Sequence, residues 1–255
     1  MFATRGGFYK TFGFGNSLLF NGDPPVIDPQ TLVYTTSNTD LINWMNTGGF
    51  TIEYWCYMLD WPSTLDISPG PGNQAGGGAN YWTFGPSDNG ALQFYYWTGS
   101  QNRISTVTGA LSLNTWHNIS FVCTQTGPGT NIVSMYIDGV AQNIRLNGTG
   151  SYVSSINVPD GIISTSTDFS MGKYSGSYYV GYMDNLRVSN TQRYTGASYT
   201  LATSPFTVDS YTQLLITPTG NPGTSTIPYT TNSSTGTMNN SFNLVTISGN
   251  HFNHS

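Results

Sequence analysis

Apolar residues in this chain recur at every second position, in short runs broken by Gly, Pro and Asn. A β-strand turns successive side chains to opposite faces, so runs of this kind make strands with one buried face. In Phe50-Thr51-Ile52-Glu53-Tyr54-Trp55-Cys56-Tyr57, the residues Phe50, Ile52, Tyr54 and Cys56 share one face. Thr51, Glu53, Trp55 and Tyr57 share the other. Over 91–97, Leu92, Phe94 and Tyr96 point inward while Gln93, Tyr95 and Trp97 point outward. Over 116–124, Ile119, Phe121 and Cys123 point inward. The runs 133–137 and 140–146 flank Asp138-Gly139, a pair suited to the type I′ hairpin turn, which needs positive φ at both positions. The alternation over 178–188 slips near Asp184-Asn185, which predicts a bulge.

Helices are nearly excluded. Only Thr39 to Asn46 could make a short helix or 3₁₀ turn. Charged residues are 7% of the chain, against about 25% in an ordinary soluble domain. That is too few to coat the outer faces of amphipathic helices. The expected fold class is therefore all-β, an antiparallel two-sheet sandwich with minimal helix, under about a tenth of residues. A chain of 255 residues suits one such sandwich. The expected organisation is an N-terminal arm over 1–16, the sandwich over 17–218 and a Ser/Thr/Asn-rich C-terminal arm over 219–255. That last arm carries one candidate strand, 242–247. The Gly/Pro-rich stretch 63–78 reads as a long loop, functional or mobile. The arms are expected to order against a neighbouring subunit.

Seven Lys+Arg against twelve Asp+Glu leave no basic stripe for nucleic acid and no polybasic membrane anchor. No run approaches 18 apolar residues, so no transmembrane helix is expected, and residues 1–20 do not read as a secretory signal. A surface rich in Ser, Thr, Asn and Gly without an export signal suits a virion component made in the host cytoplasm. Cys56 and Cys123, each in an apolar run, read as free buried thiols.

The order of motifs resembles the concanavalin A-like, laminin-G-type jelly roll. Ser17-Leu18-Leu19-Phe20-Asn21-Gly22 opens it, followed by FTIEYW at 50–55 and Trp116-His117-Asn118-Ile119. The hairpin Tyr136-Ile137-Asp138-Gly139 comes next, then Met171-Gly172, then 181–188 (GYMDNLRV), then Arg193-Tyr194. The match runs over about 17–216. Its Arg193-Tyr194-Thr195-Gly196 ending is similar to that of tailed-phage structural proteins. The resemblance implies two stacked sheets of roughly six or seven strands each. Members of the family bind glycans or proteins, form virion parts or, in one branch, cleave β-glucans.

Chemistry finds little support. Cleaving a glycosidic bond takes two carboxylates across it, and Glu53 is the one glutamate in the chain. His117, His251 and His254 are the only histidines, and no GxSxG elbow accompanies them, so a Ser-His-Asp hydrolase is not expected. His251 and His254 alone make no zinc site. Asp138 is explained by its turn and Asp184 by its bulge, so a structural calcium is not expected either. Gly76-Gly77-Gly78 and Gly127-Pro128-Gly129 lack the context of a phosphate loop. No cofactor is expected.

Aromatic richness remains. Tyr81, Trp82, Tyr95, Trp97, Tyr178 and Tyr179 lie in or beside strands, where they could stack on sugar rings or anchor a protein interface. The sequence therefore points to a non-enzymatic virion protein, capsid decoration or tail component, acting by protein–protein docking. Its partners would be other virion proteins or further copies of itself. The alternative is a lectin-like adhesin whose partner is a host glycan.

Overall fold

The computed structural model describes residues 17–21, 32–35, 48–62, 69–73, 82–97, 99–127, 129–160, 168–174, 177–217, 226–230, 235–239 and 246–247. All regular structure among them is β, in two large antiparallel sheets and one small pair. The first eleven strands are β1 Ser17–Asn21, β2 Leu32–Thr35, β3 Phe50–Met58, β4 Gly72–Asn73, β5 Trp82–Pro86, β6 Leu92–Trp97, β7 Gln101–Thr106, β8 Trp116–Gly127, β9 Thr130–Ile137, β10 Val140–Ala141 and β11 Ile144–Leu146. The rest are β12 Ile156–Val158, β13 Asp168–Met171, β14 Lys173–Tyr174, β15 Ser177–Tyr178, β16 Val180–Ser189, β17 Thr212–Ile216, β18 Thr226–Thr230, β19 Thr235–Asn239 and β20 Thr246–Ile247.

The larger sheet runs β10-β9-β8-β3-β16-β17-β18-β19, with β1 on β16, β12 on β9 and β20 on β1. The second sheet runs β11-β7-β6-β5-β4-β13-β2. The short helix expected over 39–46 lies outside the described residues, as do arm residues 1–16.

The alternation read from the sequence sets which residues meet between the sheets. Phe50, Ile52, Tyr54 and Cys56 of β3 and Ile119, Phe121 and Cys123 of β8 belong to one core cluster with Leu92, Phe94 and Tyr96 of β6. Phe94 of one sheet stacks on Phe121 of the other at 4.0 Å between ring centroids, and Phe84 packs on Phe121 at 5.8 Å. Burying one large ring of this kind contributes about 1.5–3 kcal/mol. The Tyr54 hydroxyl crosses the core to donate to the Phe84 carbonyl at 3.1 Å, so its one polar atom is satisfied. Both cysteines are free and buried; burial raises both thiols, Cys123 to about 12, so neither is a thiolate at neutral pH.

The Asp138-Gly139 turn has positive φ at both residues, 51° and 77°. A Cβ on Gly139 would also sit 2.4 Å from the Tyr199 carbonyl, so close approach demands glycine there as well. The bulge lies where the alternation slips: the β16–β3 register shifts between Asp184 and Arg187, and Asn185 has φ 48°.

Three strands follow residue 219 among the described residues, where the pattern offered one candidate; of that candidate, 242–247, residues 242–245 lie outside the described residues. β18 and β19 extend the larger sheet beyond β17, and Thr246–Ile247 pairs with Ser17 and Leu18 of β1. The pattern gave β18 and β19 no signal because they are rich in Thr and carry Pro228 and Gly236. Such residues become strands when an existing edge supplies the hydrogen bonds.

Candidate functional site

Each sheet has an outer face turned away from the core, and the two faces differ. On the larger sheet, Glu53 of β3 and Arg187 of β16 stand opposite each other in register. Arg187 donates Nε and Nη2 to Glu53 Oε1 at 2.9 and 2.7 Å. Tyr194 donates its hydroxyl to Oε2. Arg193 donates Nε to Ser189 and binds Asp209 with both terminal nitrogens, Nη2 and Nη1, at 2.8 and 3.0 Å. Those bonds hold the Asp209 carboxyl well below the usual range. Tyr194 stacks on Tyr199 at 3.6 Å, and Tyr199 bonds Ser120 and Asn118. Residues 190–211 are thus sewn onto the sheet, and Glu53 is enclosed beneath them with no exposed surface. A carboxylate held this way does not reach a substrate, so the chain's one glutamate is not placed to act as a glycosidase acid or base.

Three residues that could have been a hydrolase triad do meet. His117 Nδ1 lies 2.7 Å from Asp138 Oδ2, and Nε2 lies 3.0 Å from Ser112 Oγ. The carboxylate can only accept, which assigns the proton to Nδ1. Nε2 also accepts the Ser112 backbone N–H at 3.2 Å, and Asp138 Oδ1 accepts from the Asn118 N–H at 2.9 Å. His117 Nε2 and Asp138 Oδ1 each fasten a backbone N–H, so the arrangement ties the start of β8 to the β9–β10 turn. The sequence offered His117 no serine partner, because a partner five residues away in a turn has no signature.

The outer face of the second sheet is different. Cross-strand register puts Thr83, Tyr95 and Arg103 in one row and Gly85, Gln93 and Ser105 in the next, with Arg145 beside Ser105. Trp97 lies two residues beyond Tyr95 on the same face. Burial rises across it: Trp97, Arg103 and Arg145 are half-buried, while Thr83, Gln93 and Tyr95 are at most 2% exposed. Three buried polar atoms here have no hydrogen-bond partner: Thr83 Oγ1, Gln93 Oε1 and Arg145 Nε. The Arg145 guanidinium lies over the Tyr152 ring, 4.7 Å from its centroid.

The six aromatics singled out in the sequence separate accordingly. Trp82 is a correction: it opens β5 on the Phe84 side, pairs with Tyr96, stacks on Phe94 and is core. Tyr179 is another. It is wholly buried against Phe20, with its hydroxyl on the Tyr182 carbonyl, because the 178–180 crossing turns it inward. Tyr95 does face outward, yet it is buried. Trp97 and Tyr178 are half-buried, on different sheets. Tyr81 lies outside the described residues. The pairing that brings Thr83, Gln93, Arg103 and Arg145 to one face joins residues up to 62 positions apart, which no local pattern reveals.

Among the described residues, no three His, Cys, Asp or Glu converge on a point, and no helix is long and apolar enough to cross a membrane. A cleft of about 670 Å³ opens on the larger sheet over Ile132, Ser134 and Tyr136, walled by Val140, Asn143 and Gln192.

Comparison with known proteins bears on this geometry. The model of the concanavalin A-like lectin/glucanases superfamily matches residues 31–197. The chain belongs to that superfamily. No curated protein sequence matches this member significantly. Among solved structures, a Bacteroides ovatus ATCC 8483 protein put forward as carbohydrate-binding is 16% identical at a TM-score of 0.57. The alignment covers 92% of this chain and 60% of that one, and it shows a shared fold. A heptameric SAP-like pentraxin from Limulus polyphemus aligns at 11% identity and TM-score 0.42, over 71% of this chain and 78% of its own. Botulinum neurotoxin type C, whose cell entry depends on two ganglioside molecules, aligns at 14% and 0.32, over 71% and 44%. Those two scores carry no argument. This superfamily member thus spans less than two thirds of the Bacteroides and neurotoxin chains.

Proposed function

We propose that this superfamily member is a non-enzymatic recognition module that binds a glycan on the outer face of its second sheet. One observation carries the reading. The half-buried Arg145 stands on that face with its guanidinium over the Tyr152 ring and its Nε without a partner. A buried polar group left unpaired costs about 1–3 kcal/mol, and its persistence asks for a reason. A sugar, with a hydroxyl on most ring carbons, offers a guanidinium acceptors at its edge. Trp97 at the open side offers an apolar ring for the less polar face of a sugar. The Bacteroides structure supports the fold on which such a site would be built. The test is glycan-array binding by the full chain, repeated with Arg145→Gln and Trp97→Ala. Selective binding lost in both variants, with melting preserved, is the expected result; absence of binding to any glycan overturns it.

Docking within a virion, as capsid decoration or tail component, is the second reading. The observation in its favour is the cleft over Ile132 and Tyr136, whose walls carry hydroxyls, amides and the exposed Val140 but no charge. Interface cores are depleted of charge in the same way. Stoichiometric copies of the chain in purified particles, lost on Ser134→Arg, would support it; particles without the chain would overturn it.

A further inference from the structure

We infer that the cleft on the outer face of the larger sheet is a separate binding site for an uncharged oligosaccharide, held by Asn143 and Ser154 on one wall, Thr195 on the other and Ser134 on the floor. It lies on the opposite sheet from the face assigned to the glycan above, and it stands or falls independently of that reading.

The cleft is built by the fold itself. Val133, Met135 and Ile137 of β9 point into the core, so Ile132 and Ser134 point out and form the floor. One wall is the segment 195–197. The Tyr136 hydroxyl donates to the Gly196 carbonyl at 3.1 Å, the Ala141 N–H to the Ala197 carbonyl at 2.9 Å, and the Tyr199 N–H to the Gly139 carbonyl at 2.7 Å. The other wall is where the chain passes between the sheets. Ile144 and Val153 exchange N–H···O bonds at 2.7 and 2.8 Å, which sets Asn143 opposite Ser154. The enclosed volume, about 670 Å³, falls within the about 300–1,000 Å³ usual for small-molecule sites. Walls fixed by backbone bonds have little order left to lose when a ligand enters.

The lining selects the ligand. No Asp, Glu, Lys, Arg or His lines the cleft. A charged ligand would give up its hydration there and meet no opposite charge. A peptide adding itself as a strand finds no open edge, because β10 and β12 cover β9, and 197–199 cover β10. What the cleft offers is hydroxyls and an amide, groups that donate and accept as sugar hydroxyls do. The side chains of Ser134, Asn143, Ser154 and Thr195 make no hydrogen bond with another described residue. Ser134 is half-buried and the other three are exposed, so a ligand in the cleft reaches all four. Half-buried Ile132 on the floor and exposed Val140 at the rim supply apolar contact for the C–H face of a sugar ring.

The experiment is calorimetric titration of the full chain with four uncharged trisaccharides: maltotriose, cellotriose, galactotriose and chitotriose. The expected result is that at least one binds, with an affinity that added salt leaves unchanged. Ser134→Arg, which fills the floor, should abolish that binding. Asn143→Ala and Ser154→Ala, at exposed positions that tolerate truncation, should each weaken it by about tenfold. Arg145→Gln, on the other sheet, should leave it unchanged. Binding that survives Ser134→Arg and disappears in Arg145→Gln overturns the inference and leaves the glycan reading of the second sheet standing. No binding by any of the four trisaccharides also overturns it, and a protein partner that Ser134→Arg displaces would then own the cleft. Melting of each variant within error of the parent shows that a loss is not unfolding.

Discussion

Glu53 and Arg187 face each other in register across β3 and β16 as a buried ion pair, under residues 190–211. The sequence placed Glu53 on the solvent side of its strand, and the parity is right. The side is closed because Tyr194 and Arg193 descend on the same carboxylate.

Removing one member leaves the other charged and enclosed. Glu53→Ala is expected to cost about 3–5 kcal/mol, measured by chemical denaturation. The double variant Glu53→Leu, Arg187→Met should recover most of that loss. A single variant within about 0.5 kcal/mol of the parent would contradict the pairing.

Asp184 gives a pH dependence. Burial raises its carboxyl to about 7, while hydrogen bonds from Asn185 pull the other way; Oδ2 has no partner. The unfolded chain ionises this group near pH 4, so the folded state holds the proton over the window from about 4 to 7. Stability from this residue is therefore full below about pH 4 and falls as pH rises towards 7. Asp184→Asn is expected to stabilise by roughly 2–4 kcal/mol at pH 8 and by little at pH 4. Equal effects at the two pH values would show the carboxyl to be ordinary.

Trp55 and Trp116 form a second apolar cluster on the outer face of the larger sheet, with Tyr57, Tyr182 and Leu201. They are stability residues by this placement. Each truncation to Ala should cost about 3–5 kcal/mol. Thermal melting reads it out, and unchanged melting of both variants would refute it.

On the second sheet, Thr83→Val and Gln93→Met remove polar atoms that the fold leaves unpaired. Each is expected to raise stability by about 0.5–2 kcal/mol, read by chemical denaturation. A loss of stability in both would mean these atoms already have a role in the fold.

Gly139→Ala tests the hairpin. Positive φ and the 2.4 Å approach to the Tyr199 carbonyl oppose any Cβ. A destabilisation of at least about 1 kcal/mol is expected in denaturant, and none would place the strain elsewhere.

The alternation by itself determined β3, β6, β8, β9 and β16, their inward residues, the Asp138-Gly139 turn and the bulge at Asp184-Asn185, because each is set by neighbours in the chain; the run 140–146 instead divides into β10 of the larger sheet and β11 of the second. Exposure was not determined in this way. Trp82 and Tyr179 became core and Tyr95 was covered, since parity names a face and only packing decides what lies over it. The C-terminal strands went unread because an edge, not their own residues, makes them strands. The Ser112–His117–Asp138 tie, the enclosure of Glu53 and the face that gathers Thr83, Gln93, Arg103 and Arg145 all came from strand order. Which strands lie side by side follows from the free energy of closing the two sheets on one core, a property of the whole chain that no single segment carries.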